Sequence, residues 1–381
     1  MESKWLGRGK AYYNAYKTNH KGININKRYL VIESDDWGSV RMPSIETLKG
    51  LMAKGLDLTG GDSNRYNLND SLAGKGDLTA LFETLNKYKD QNNKPAVFTA
   101  VSLVANPDFH KIKEHGFTTY YYEPFTKTLE RYHGDGAAYQ LWQEGIRHHI
   151  FVPQFHAREH INIAEWMRAL QCRDKETLLA FEQGLWGFNN MKNLASGISF
   201  QAAFDFYNPE DLDIQALSIK EGLDLFEKLF GYRASFFVPP NGPFNNSLEK
   251  VAADCGIKYM SASKIQIEPQ GNGVNKKHFH WLGQKNKYHQ LYITRNCFFE
   301  PSQEGKEWVS SCLNDMANAF RWHKPAVISS HRVNYIGALN PKNRESGLKQ
   351  LEQLLTAMLN KWPDIEFCTS NELGDLIAEN K

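Results

Sequence analysis

The chain has 381 residues, 41% hydrophobic and 13% aromatic, which is ample for a large core. Lys+Arg 45 against Asp+Glu 43 leaves a formal charge of +2, so nothing in the balance calls for nucleic acid or an anionic membrane. The five cysteines are scattered, odd in number and without a CxxC pair, which argues against a disulfide frame and for a reducing compartment.

No apolar run reaches the ~18 residues of a membrane span. The opening segment also lacks the apolar stretch of about 7–15 residues found in a signal peptide. A cytoplasmic protein is the expectation. The chain starts with a basic stretch containing Lys4, Lys10, Lys17, Lys21 and Lys27, read as a solvated arm over residues 1–27 ahead of a single domain over 28–381.

Apolar, β-branched runs predict strands at Arg28–Ser34, Ala96–Val104, His149–Phe155, Gly197–Phe204, Ala234–Val238, Ile257–Ala262, Gln290–Arg295, Ala326–Ser330 and Ile365–Thr369. Between several of them lie patterns with a period near 3.6. Leu78-Leu81-Phe82-Leu85 is one, the run Leu217 to Leu229 another, and Leu348-Leu351-Leu354-Leu355-Met358-Leu359 the clearest. Strands alternating with helices predict an α/β protein built from parallel βα units. The Gly-, Asn- and Asp-rich stretch 55–75 reads as a long loop, and the aromatic-rich stretch 107–147 as an insertion. A turn-rich patch beginning at Pro269 precedes His278.

Three strand-like runs end in chemistry. YLVIES leads to Asp35-Asp36, HIFVPQF to His156 and His160, and PAVISS to His331. In a parallel sheet or barrel, strand ends gather at one face, where active sites form. His156 and His160 are four apart, so a helical turn would put both imidazoles on one face with metal-ligand spacing. Two adjacent carboxylates ending an apolar strand cost desolvation unless something compensates. Adjacent residues leaving a strand point opposite ways, so one acid can hold a cation while the other faces a substrate. Taken singly, the Asp pair fits a turn and His331 a structural histidine; their joint occurrence points to a hydrolytic metal site.

These motifs resemble those of the polysaccharide deacetylases, metal-dependent carbohydrate esterases. ESDDWGS matches the first motif, a strand ending in Asp-Asp. His156-Ala157-Arg158-Glu159-His160 matches His-[Ser/Thr]-x-x-His, with Ala157 replacing the hydroxyl. Phe237-Val238-Pro239-Pro240-Asn241-Gly242 stands at the Arg-x-Pro-Tyr-Gly-like turn, with Val238 in place of the Arg and Asn241 in place of the Tyr. ISSHR, ending at His331, matches the last motif, whereas YMSASK stands where an Asp-x-x-Asp-Trp motif is expected.

The resemblance implies a distorted (β/α) barrel of about seven parallel strands that removes acetyl or other acyl groups from a carbohydrate. It implies that Asp36, His156 and His160 hold one divalent cation. Zn²⁺ suits two imidazoles and one carboxylate best, and Co²⁺ or Ni²⁺ also fit. Asp35 would act as base, His331 as acid, and the backbone N–H of Asn241 as an oxyanion donor.

Arg295, ending QLYITRN, is expected to replace the missing Arg by pairing with Asp35; the alternative is a surface Arg paired with Glu300 or solvated. Trp37, Arg41, Pro240, Trp281 and the Tyr120–Tyr122 cluster are candidates to line a sugar groove. Two rivals remain on the sequence alone. A barrel that lost activity would be a glycan-binding protein, and HAREH also fits the His-x-x-Glu-His signature of inverted zinc peptidases.

Overall fold

The computed structural model describes residues 16, 18–59, 63–134, 136–188 and 194–379. Its strands are β1 (Arg28–Trp37), β2 (Phe98–Leu103), β3 (Ala105–Pro107), β4 (Tyr122–Pro124), β5 (Phe151–Ala157), β6 (Phe236–Phe237) and β7 (Tyr259–Ala262). They continue with β8 (Ile265–Gly271), β9 (Val274–Phe279), β10 (Leu291–Thr294), β11 (Cys297–Phe298), β12 (Ala326–His331) and β13 (Ile365–Phe367). Nine of them make one sheet in the order β10-β7-β6-β5-β2-β1-β12-β11, with β13 also on β1. Every pairing in that sheet is parallel. The sheet curls into a half-barrel surrounded by helices, a distorted (β/α) barrel. The strand count exceeds the sequence estimate; β11, only two residues long, had no apolar run of its own to announce it.

The helices follow the periodic patterns. Lys75–Asn86, Asp211–Phe230 and Pro341–Lys361 bury the stripes Leu78-Leu81-Leu85, Ile219-Leu223-Phe226 and Leu351-Leu354-Leu355-Met358. At about 1.5–3 kcal/mol for each large apolar side chain taken from water, such stripes decide which helix face meets the sheet. Among the described residues, no helix is long and apolar enough to cross a membrane.

One strand expectation fails. Residues 197–204 form no strand; their backbone is tied instead to Asn162, which donates to the carbonyls of Ala202 (2.9 Å) and Asp205 (2.7 Å) and whose N–H bonds Phe200 (2.7 Å). The segment is apolar because Phe200 and Phe204 are buried in the hydrophobic core although the backbone joins no strand. The loop around 55–75 contains a helix, Ser63–Asn69, with 60–62 outside the described residues. Within 107–147, the helices Phe109–Glu114, Phe125–His133 and Ala137–Arg147 flank β4, and residue 135 lies outside the described residues. Trp142 of this stretch lies in the main core, stacked on Phe230. The turn-rich patch after Pro269 connects β8 to β9, an antiparallel hairpin beside the sheet. Of the arm, residues 1–15 and 17 lie outside the described residues, and so therefore do Lys4, Lys10 and Lys17; Lys27 pairs with Glu366 at 3.1 Å.

Candidate metal centre

Parallel pairing sets the ends of β1 and β12 side by side, with Asp35 in register with His331, and β5 lies one strand further along, across β2. The β1–β2 register shifts between Ser34 and Trp37, and Asp36 takes a left-handed backbone (φ 75°). A bulge of this kind re-aims side chains at a strand end. As a result Asp35 and Asp36 both line one cavity of about 700 Å³, instead of pointing to opposite faces. Gly38 (φ 88°) closes the turn, since a Cβ there would sit 2.2 Å from the Leu103 carbonyl oxygen. Asn106 clamps the same turn, accepting from Val40 N–H at 2.9 Å and donating to the Gly38 carbonyl at 3.0 Å.

His156 ends β5 and His160 sits in an irregular loop two residues before the Asn162 cap, so no helical turn carries the pair. The rings converge nevertheless. Asp36 Oδ1 lies 3.4 Å from His156 Nε2 and 3.4 Å from His160 Nε2, and all three residues are buried. His156 Nδ1 bonds the Val238 carbonyl at 2.6 Å, which puts its proton there and leaves the Nε2 lone pair facing the centre. Burial lowers His160 to about 4, against the attraction of Asp36, so its ring is neutral. Asp36 Oδ1 has no hydrogen-bond partner. Lone-pair donors converging around an orphaned buried carboxylate oxygen suit a divalent cation. The second-sphere bond from Nδ1 to a carbonyl is the usual way to orient such a ligand.

The flanks are built from ion pairs. Arg295 grips Asp35 bidentately, Nη1 to Oδ2 and Nη2 to Oδ1 at 2.7 Å each, and its Nε bonds Glu33. It does not pair with Glu300. Burial would raise Asp35, but Arg295 outweighs it and holds the acid below its ordinary value. Glu300 instead bonds His331 Nδ1 (2.6 Å), Arg65 (2.8 Å) and Asn334 (2.9 Å). Burial alone would lower His331; Glu300, with Asp36 and Asp35 beyond it, raises the ring to about 9. His331 Nε2 lies 3.9 Å from Asp35 Oδ2. Asn241, in a left-handed conformation (φ 56°), lines the cavity with Pro239 and Gly242.

Of the groove candidates, Arg41 lines the cavity and the others do not. Trp37 is fully buried behind the sheet, edge-on to Phe151 (4.8 Å) and Trp142 (6.5 Å), because the bulge turns it to the core. Pro240 is buried within its turn. Trp281 stands away from the cavity with the Lys21 ammonium over its ring at 5.3 Å. Tyr120 and Tyr122 pack on Arg158, at 5.7 and 4.1 Å. That arginine grips Glu159 with two bonds of 2.6 Å, so the Glu of the peptidase signature is held away from the cavity and off any helix. Glu33, Arg65, Tyr66, Glu300 and the Val238 carbonyl were not marked in the sequence as parts of a site, and no local motif marks them.

The fold and the site together define a parallel (β/α) half-barrel with a buried Asp-His-His group at its strand ends. The sequence matches no protein-family model and no curated protein. Among solved structures the chain is similar to a putative glycoside hydrolase/deacetylase from Parabacteroides distasonis, with 8% identity, 95% of this chain and 74% of that one covered, and a TM-score of 0.48. It is also similar to a probable polysaccharide deacetylase from Pseudomonas aeruginosa, with 11% identity, 91% and 89% covered, and a TM-score of 0.42. A third likeness is to the 4-alpha-glucanotransferase from Thermococcus litoralis, at 11% identity and a TM-score of 0.42; 92% of this chain spans only 40% of that one.

Proposed function

We propose that this chain is a metal-dependent hydrolase that removes acetyl, or other N- or O-linked acyl, groups from a carbohydrate. Asp36, His156 and His160 are the residues that hold the ion, Zn²⁺ by donor type, with Co²⁺ or Ni²⁺ also suited. When bound, the ion supplies a Lewis acid that polarises an acyl carbonyl and acidifies water. Asp35, kept ionised and aimed by Arg295, accepts the proton of the attacking water at a carboxylate oxygen. His331, charged through Glu300, delivers the Nε2 proton to the departing amine or alcohol. The main-chain N–H of Asn241 is the donor to the carbonyl oxygen as negative charge grows on it.

The observation that carries this reading is an Arg-held carboxylate and a Glu-held imidazole, 3.9 Å apart, beside one buried Asp-His-His group. The free cysteines accord with a cytoplasmic setting, and so with an oligosaccharide or a sugar-bearing precursor as substrate. The test is acetate release from a panel of N- and O-acetylated oligosaccharides by zinc-loaded protein. Release by wild type, and its loss in Asp35→Asn with zinc still bound, is the expected result. Bound metal with no release from any acylated sugar would overturn the activity in favour of a glycan-binding barrel.

A further inference from the structure

The cavity holds a cation that the chemistry above leaves unused. Arg41, 6% exposed, lines it with its guanidinium over the rings of Tyr66 (5.2 Å) and Trp186 (5.7 Å). Gly187 makes room for it: a Cβ there would lie 3.0 Å from Arg41 Nε. The neighbouring cavity arginines are spoken for, Arg295 by Asp35 and Glu33, Arg65 by Glu300. The nearby carboxylates are engaged as well, since Asp70 takes Arg332 at 2.9 Å and Asp36 faces the imidazoles. Among the described residues Arg41 makes no ion pair and no hydrogen bond, and its Nε is orphaned.

A guanidinium desolvated, sandwiched by aromatic faces and left without an acceptor is costly unless a ligand completes it. Its planar fork matches carboxylate and phosphate oxygens. We infer that Arg41 recognises an oxyanion on the substrate, so that the sugar acted on is acidic, bearing a carboxylate or a phosphate within reach of the metal centre. This inference rests on the deacylase reading for its substrate. Its own evidence is the unpartnered Arg41.

The test uses metal-free full-length protein, so it is read without any turnover. Inorganic phosphate and acetate are titrated at constant ionic strength, with chloride as reference, and followed by tryptophan fluorescence and by Tm. Wild type should show saturable binding of at least one oxyanion beyond chloride. Arg41→Gln should weaken it about tenfold or more, the usual loss for a charge-assisted hydrogen bond. Gly187→Ala, which keeps the charge but crowds Nε, should weaken it too, and settles the question if Arg41→Gln fails to fold. Absence of saturable binding in wild type, or equal binding in the variants, overturns the inference. N-acetylglucosamine 6-phosphate and the corresponding uronic acid, compared with neutral N-acetylglucosamine, then separate phosphate from carboxylate. Failure here with intact acetate release from neutral sugars leaves the deacylase standing; oxyanion binding without release does the reverse.

Discussion

Beside the Asp-His-His group, Asp35 is gripped by Arg295, and His331, 3.9 Å from it, hangs from Glu300. The two stand at neighbouring strand ends, in register across β1 and β12, Asp35 buried and His331 half-buried. The partners push them in opposite directions, the carboxyl below its ordinary value and the imidazole up to about 9. A base and an acid can therefore coexist in one cavity near neutral pH, because each is fixed by an oppositely charged neighbour and not by exposure to water.

The sharpest way to break this comparison is to remove the group that both residues stand beside. Asp36→Asn or His156→Ala should lose bound metal, measured by elemental analysis, and lower kcat/KM by at least about a thousandfold, the several kcal/mol expected of a Lewis acid. Asp35→Asn should keep the metal and lower kcat by about 10²–10⁴-fold. Arg295→Ala should lower kcat in the same direction. It should also cost about 3–5 kcal/mol of stability in a denaturant melt, since it strands two buried carboxylates; unchanged turnover would remove Arg295 from the site.

The His331 half of the comparison is tested by pH. An acid with a pKa of about 9 is protonated below that value, so activity should hold through neutrality and fall as pH rises through about 9. Glu300→Gln removes the charge that favours the imidazolium, so the alkaline limb should move down by about one unit or more. A limb that stays in place would detach Glu300 from His331. The smallest effect is expected at Trp281, outside the cavity. Trp281→Ala should leave kcat/KM within about twofold, as surface changes away from a site usually do.

The convergence of Asp36, His156 and His160, with Asp35 and His331 beside them, was legible because strand-end placement and residue type are both local in sequence. The α/β architecture was legible for the same reason, through run length and period. What stayed hidden depends on distant or sub-residue geometry. Trp37 and Arg41 stand four apart, yet one turns to the core and one to the cavity, with the left-handed turn at Gly38 between them. The partners Glu33–Arg295 and Glu300–Arg65 meet across 262 and 235 positions, with nothing periodic to announce them. Residues 197–204 show the converse error, an apolar run whose Phe200 and Phe204 are buried without the backbone entering the sheet. The Val238 carbonyl, orienting His156, works through main chain, so the side-chain letter at that position carries no trace of it.

The most direct measurement is anomalous diffraction from crystals of the zinc-loaded protein. One peak enclosed by Asp36, His156 and His160, and absent from Asp36→Asn crystals, is the result expected. Stoichiometric zinc with its peak anywhere else, or unchanged in that variant, would contradict the account.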